Sequence, residues 1–404
     1  MQKRKCIVYI GDFDFRNENV QSHLVKNNGK VFKKIGYDVS FIGINRECTE
    51  LSDDGYNKKK IHNVGDYFEL PNTLNLKGIF KYNEICDKIL LLLEEIASEK
   101  TIEYVITYQA PTYSGVLKKI VTWCTSNQIK YIVNCADLPI FSMQPIIKRI
   151  VMSANWRYMH YVNKKYSDGI IAVSTFVEKF YFKENRKSIV IPPLFDQEDT
   201  LCQKQNNEEL VPVFLYAGCP FAAINHKIKT SSMKDRLDYI IDLFVELEKK
   251  QVDFRFIIIG INQEDYLKCV PRHKEILKVS HNIEFRGHEN HTETMRQVAL
   301  ADFTINYRDK SRMTEAGMST KIVESISVGT PVIINNTSDT FKYLEEGITG
   351  FEIKNNFNAD TKKISTLCQL SKKQREKLKC QCYESRIFAI ETYVKRLENF
   401  LTDL

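Results

Sequence analysis

The residues most able to do chemistry gather in the stretch AGMSTKIVESISVGTPVIINN, residues 316–336. Ser319 and Thr320 are types that open helices, and Ile322, Val323 and Ile326 then give the segment one apolar face. Gly329 stops it, and Pro331 leads into a buried strand. Gly317 lets the chain pass close to a neighbour with no side chain in the way. Lys321 and Glu324 are three apart and point to roughly the same side. Free backbone N–H groups at a helix start, two hydroxyls and a lysine make a place for a phosphate. The same residues also describe an ordinary capped helix with a surface Lys–Glu pair, and by itself the stretch favours that plainer reading.

Other clusters point to less. The strand-like CIVYIG ends in the single glycine Gly11, not in G-x-G-x-x-G, and no G-x-x-x-x-G-K-[ST] occurs. Both absences argue against a nicotinamide dehydrogenase or a P-loop NTPase. Asp12-x-Asp14 has the look of a metal–diphosphate pair, but it follows the first strand instead of a series of nucleotide-binding elements, and no metal is assigned to it. His288 and His291, in HENH, lack H-E-x-x-H spacing and a third ligand. Cys380-Gln-Cys382 is isolated near a helical C-terminus and does not argue for zinc.

The elements that must position these groups alternate along nearly the whole chain. Strand candidates in the first half are CIVYIG, YDVSFIG, YVITYQ, YIVNCAD, GIIAVS and SIVIPP, and in the second VPVFLYAG, FRFIIIG, IEFRG, FTINY, PVIIN and GFEI. They read as continuous apolar runs, the mark of parallel strands covered on both faces. Helical segments, including residues 20–35, NEICDKILLLLEEIASE and WRYMHYVNKKY, separate most of them. Two such series predict two doubly wound α/β sheets. The expected division is residues 1–195 as an N-terminal acceptor-side domain, 196–212 as linker, 213–380 as a C-terminal donor-binding domain and 381–404 as a C-terminal helix packing back on the first. Ligands of open α/β sheets bind beyond the carboxyl ends of the strands. Two facing sheets would therefore form a cleft hinged at the linker. The helix at 319 follows the long loop after FTINY, which puts its start at the edge where a ligand binds.

At 404 residues the chain is too long for one typical core. Hydrophobic residues at 43% and charged ones at 27% describe a soluble globular protein. The net charge of +7, from 58 basic and 51 acidic residues, suits an acidic small molecule or an anionic membrane surface. No long Lys/Arg stripe marks a nucleic-acid binder. The N-terminus carries too few apolar residues for a signal peptide, and no apolar run approaches the roughly 20 residues of a membrane span. Eleven scattered cysteines fit reduced thiols in a cytoplasm better than a disulfide framework.

Three stretches together carry a resemblance. They are YAG at 216–218 with KDRLDYII at 234–241, FRGHENHTETMRQVALADFTINYRD, and the 316–336 stretch continued through NTSDTFKYLEEGITGF. Their order and spacing resemble the second domain of retaining glycosyltransferases of the GT-B fold, family four, in the variant of bacterial capsule and exopolysaccharide synthesis. YVNKKYSDGIIAVSTFVEKFY and IVIPPLFD resemble the end of that family's first domain. The resemblance implies that Lys234, Gly317, Ser319, Thr320 and Lys321 contact a donor diphosphate and that Glu324 accepts from the ribose hydroxyls. It further implies that Gly287 and His288 lie along the base and that Gly218 and Gly11 approach the donor. Asp137 falls where many relatives place a histidine beside the transferred sugar. Two departures leave the donor sugar open. The family's E-x7-E pattern needs an acid where this chain has Ala316, with Glu315 one residue too far upstream, and the arginine common after the YAG-type glycine is Cys219. Arg308, Lys227 or Lys229 are the candidates for the missing charge.

The implied activity is transfer from a UDP- or GDP-sugar to a glycan or polyprenyl-diphosphate-linked acceptor, with Asp137 and Glu324 as the catalytic candidates. Breaking the sugar–phosphate bond leaves negative charge on the nucleoside diphosphate. Fixed N–H donors and lysines stabilise that charge with neither metal nor other cofactor. Retention follows either from attack on the leaving-group face or from a covalent intermediate. The expected location is cytoplasmic. The segment IIKRIVMSANWRYMHYVNKKY is either a peripheral contact with the inner membrane face or, the reading it favours, an amphipathic core helix with a solvated basic face. A sugar-nucleotide epimerase of the same architecture and a non-catalytic partner subunit are the alternatives.

Overall fold

The computed structural model describes residues 3–16, 20–45, 56–71, 82–108, 114–138, 145–181, 186–199, 203–224 and 227–404. The chain divides into two compact units, Met1–Leu194 with Ile390–Leu404, and Phe195–Ala389.

The first unit is built on strands β1 (Lys5–Gly11), β2 (Asp38–Asn45), β3 (Asn57–Ile61), β4 (Gly65–Pro71), β5 (Thr101–Tyr108), β6 (Lys130–Cys135), β7 (Gly169–Ala172) and β8 (Lys187–Val190). Their order is β3-β4-β2-β1-β5-β6-β7-β8. Every pair is parallel except β3 with β4. The central strands are apolar and buried because helices cover them, as the continuous runs require. β3 and β4 escape the sequence pattern. β3 has the sequence NKKKI at the sheet's edge, where exposed lysines discourage further pairing, and β4 closes on Pro71. The helix Ile390–Thr402 completes this unit. It packs along the helix Val20–Ile35 and buries Ile390, Tyr393, Leu397, Phe400 and Leu401 in the first core. Tyr104 ties it down by donating its hydroxyl to Leu401 O at 2.9 Å.

The second unit contains β9 (Val213–Ala217), β10 (Phe221–Ile224), β11 (Lys227–Met233), β12 (Arg255–Ile259), β13 (Ile283–Gly287), β14 (Phe303–Asn306), β15 (Val332–Ile334) and β16 (Gly350–Glu352). Six of them form a parallel sheet in the order β13-β12-β9-β14-β15-β16. β10 and β11 form a separate antiparallel hairpin that the sequence pattern did not indicate. One sheet face presents Phe214, Tyr216, Phe256, Ile258, Phe303 and Ile305 to a single core. A buried salt bridge fastens the helix Lys372–Glu384 beneath the sheet, with Arg375 Nε 3.1 Å from Asp302 Oδ1. Beside it Lys379 donates to the carbonyls of Ala299 and Ala301, and burial pushes its pKa down to about 8.

The strand order fixes where a ligand belongs. From β9 the chain builds outward to β12 and β13 on one side, then returns to build β14, β15 and β16 on the other. The order reverses between β9 and β14, and the crevice at their carboxyl ends is the topological switch point.

Candidate functional site

At that switch point four separate segments converge on one carboxylate. Asp235, in the loop between β11 and the helix Leu237–Lys249, is wholly buried. It accepts hydrogen bonds from Lys321 Nζ at 2.5 Å, Tyr216 Oη at 2.7 Å and Arg308 Nε at 2.7 Å. Tyr216 lies in β9, Arg308 just beyond the end of β14, and Lys321 in the first turn of the helix Thr320–Ser327. Asn335, just past β15, pins the Arg308 backbone from both sides: its Oδ1 accepts from Arg308 N at 2.9 Å and its Nδ2 donates to Arg308 O at 2.8 Å. Lys321 reaches Asp235 across Gly218, where an added Cβ would collide with the lysine's Cε and Nζ. Gly218 also holds φ +126°, and the next strand end packs onto it so closely that a Cβ on Gly260 would lie 2.6 Å from its carbonyl carbon. Both positions need glycine.

The electrostatics leave a surplus of positive charge. Burial alone would raise the Asp235 pKa, but Lys321 and Arg308 outweigh it and hold the carboxyl well below the usual range. Burial, together with the neighbouring Arg308, lowers Lys321 against the pull of Asp235. A quarter of the Lys321 side chain remains exposed, and its ammonium group lies against the Asp235 carboxylate. Two cations thus face one anion. Among the described residues the terminal nitrogens of Arg308 make no hydrogen bond, since Nε alone meets Asp235.

The helix start adds donors to the cations. Ser319 is the N-cap of Thr320–Ser327, yet its side chain makes no capping bond. Its Oγ is buried without a hydrogen-bond partner. The backbone N–H groups of Thr320 and Lys321 have no acceptor within the helix. Asn306 Nδ2, at the end of β14, is likewise buried and unpartnered. Thr304 Oγ1 contacts Ser325 Oγ at 2.6 Å, so alternation along β14 turns Asn306 toward the same helix, nearer its start. Unsatisfied buried donors beside surplus positive charge are what an anion such as a phosphate would satisfy. One turn further on, Glu324 Oε1 lies 3.4 Å from His291 Nε2.

The remaining expected residues are placed as follows. Gly287 ends β13 with φ +74°, and its carbonyl accepts from Gly260 N at 2.6 Å. His288, next in the chain, is exposed. Lys234 is also exposed and lies ahead of the helix that begins at Leu237, while its neighbour Asp235 turns inward. Gly317 is extended, with φ −84°, a conformation open to any residue. Ala316 is buried and Glu315 half-buried in the short helix Arg312–Ala316. Cys219 packs against the second core. The side chains of Lys227 and Lys229 lie outside the described residues. In the first unit Gly11 ends β1 against Tyr108, whose Cβ would lie 2.8 Å from an added Cβ. Asp137 is exposed beyond β6, and its Oδ1 accepts from Leu138 N at 2.7 Å. Sequence reasoning missed Asp235, the Tyr216 hydroxyl, Asn306 and the pairing of His291 with Glu324. The adjacency of Asp235 to Lys234 in the KD pair was the one signal pointing toward it.

Residues 228–383 match the family of glycosyl transferases group 1. That span takes in most of the second unit and every residue of the Asp235 cluster except Tyr216 and Gly218. No curated protein matches the chain in sequence. Solved structures match along the whole chain. The sucrose-phosphate synthase of Thermosynechococcus elongatus superimposes with a TM-score of 0.62 at 12% identity, covering 99% of each chain. Anabaena HepE, solved in complex with UDP, gives a TM-score of 0.62 at 12% identity over 100% of each. A glycosyltransferase from Rickettsia africae gives 0.62 at 16% identity, covering 99% of this chain and 98% of that one. The fold is the GT-B architecture of two parallel-sheet domains.

Proposed function

We propose that this chain is a retaining, metal-independent glycosyltransferase, moving a sugar from a nucleotide diphosphate donor to a glycan or lipid-linked glycan in surface polysaccharide synthesis. The observation that carries the reading is the Asp235 cluster at the switch point. It presents Lys321, Arg308 and an uncapped helix start together, with positive charge to spare. Similarity to a protein solved with UDP favours a uridine diphosphate donor. In this reading Ser319, the N–H groups of Thr320 and Lys321, and the free end of Arg308 receive the diphosphate. They stabilise the charge that grows on it as the glycosidic bond breaks, supplying what a bridging metal ion would otherwise supply. Asp235 keeps the two cations at fixed spacing, so little reorganisation is needed when charge develops. Glu324, steadied by His291, accepts from the ribose hydroxyls. Asp137 serves the acceptor side.

The test is calorimetry and nucleotide release with a panel of UDP-, GDP-, ADP- and CMP-sugars. One class should bind and turn over in the presence of acceptor glycan. Lys321→Ala and Glu324→Ala should each weaken donor binding by about 10- to 100-fold, the worth of a charge-assisted hydrogen bond. Undiminished affinity in both variants would remove the site assignment. Binding without turnover toward any acceptor would make the chain a partner subunit instead.

A further inference from the structure

We propose that the helix Ile146–Tyr166 is a docking surface for an anionic lipid bilayer, lying along the head-group layer with its first turns inserted. The inference goes beyond the donor-site reading and does not depend on it.

The helix is amphipathic with its apolar stripe on the outside. Its inward side is held by aromatic and polar contacts. Trp156 stacks on His160 at 5.4 Å and lies 5.7 Å from Phe180. Asn163 Oδ1 accepts from the Tyr131 hydroxyl at 2.8 Å, and Asn155 Oδ1 accepts from Ser114 N at 3.0 Å. The outward side carries Ile146, Ile147, Ile150 and Val151, exposed by 68, 80, 62 and 58%. Tyr158 and Tyr161 follow on the same side and are also exposed. At about 3.6 residues per turn these six fall within one stripe narrower than half the helix circumference. Four neighbouring aliphatic side chains in two turns bury little within the unit, and a contiguous patch of this kind marks a contact surface.

Charge says what covers it. The helix carries Lys148, Arg149, Arg157, Lys164 and Lys165 and no acidic residue. A single exposed helix with aliphatic residues leading, tyrosines behind and basic residues beside and among them suits the boundary between lipid phosphates and acyl chains. No helix among the described residues is long and apolar enough to cross a membrane, so the contact assigned here is along the surface.

The full chain should co-sediment with vesicles of equal parts phosphatidylcholine and phosphatidylglycerol, and much less with phosphatidylcholine alone. Added salt should weaken the association. Ile147→Glu combined with Ile150→Glu should lower the bound fraction at least tenfold, and Lys148→Ala with Arg149→Ala should cost about fivefold per residue. All four positions are exposed, so circular dichroism and melting should be unchanged. Equal binding of the aliphatic variant, or equal binding to neutral vesicles, would overturn the proposal. So would a dimer by light scattering that this variant converts to monomer, since the stripe would then face a second copy. Calorimetry with UDP-sugar on the same samples separates this outcome from the donor-site reading, because donor binding should be the same in wild type and variant.

Discussion

Asp235 accepts from two cations at once, Lys321 and Arg308, whose closeness would otherwise be repulsive. Replacing it with asparagine leaves both partly desolvated with no counter-charge. Asp235→Asn should therefore lower the unfolding free energy by about 3–5 kcal/mol at neutral pH, as measured by denaturant titration. The pH dependence has a definite sign. The folded pKa is depressed, so the carboxylate's contribution is complete above its unfolded value of about 3.9 and fades as pH falls below it. The gap between wild type and variant should narrow under those acid conditions, and a gap independent of pH would refute the charge argument. Much of this site was legible at the level of residue type. A glycine, two hydroxyls and a lysine at a helix start are local signals, readable from a single segment. Asp235 was not, because its meaning arises only when β9, the loop after β14 and the helix Thr320–Ser327 meet. Within its own segment it is one acid beside Lys234, and nothing there says which of the two faces inward.

At the scale of elements, the site depends on strand ends that stop at glycine. Gly218 and Gly260 sit at the carboxyl ends of adjacent parallel strands, both with positive φ and each blocked from carrying a side chain. Gly218→Ala should destabilise the second unit by at least about 1 kcal/mol from backbone strain alone. It should weaken donor affinity further, because Lys321 must leave its path to Asp235. A melting and calorimetry pair checks both, and an unchanged affinity would show that the lysine does not depend on this route. All twelve apolar runs singled out in the sequence are strands, since covering by helices on both faces leaves an unbroken hydrophobic signature. The strands that escaped lack that signature, and β4 lacks it although it is buried, because Asp66 and Glu69 interrupt its apolar run. β3 is a lysine-rich edge, β4 lies beside it, and β10 and β11 pair only with each other. The helix Ile146–Tyr166 was visible as a helix, but periodicity alone does not say which side of it a fold will bury.

For the molecule as a whole, the two units have separate hydrophobic cores, and the chain returns to the first only at its end. Five side chains of the last helix are buried in that core, so a chain ending at Ala389 should leave the first unit without a cooperative unfolding transition. Its second unit, continuous from Phe195 to Ala389, should still melt as one and still protect its amides from hydrogen exchange. Retention of both transitions would show that the last helix is dispensable. The doubly wound architecture was readable because the rhythm of strand and helix is a property of the entire sequence, whereas the return of the C-terminus is a single long-range event. That return sets an order of events at the ribosome. The portion synthesised first finishes last, because its final helix is made only after the whole of the second unit. Until then the groove that later receives Tyr393 and Phe400 stays open to water.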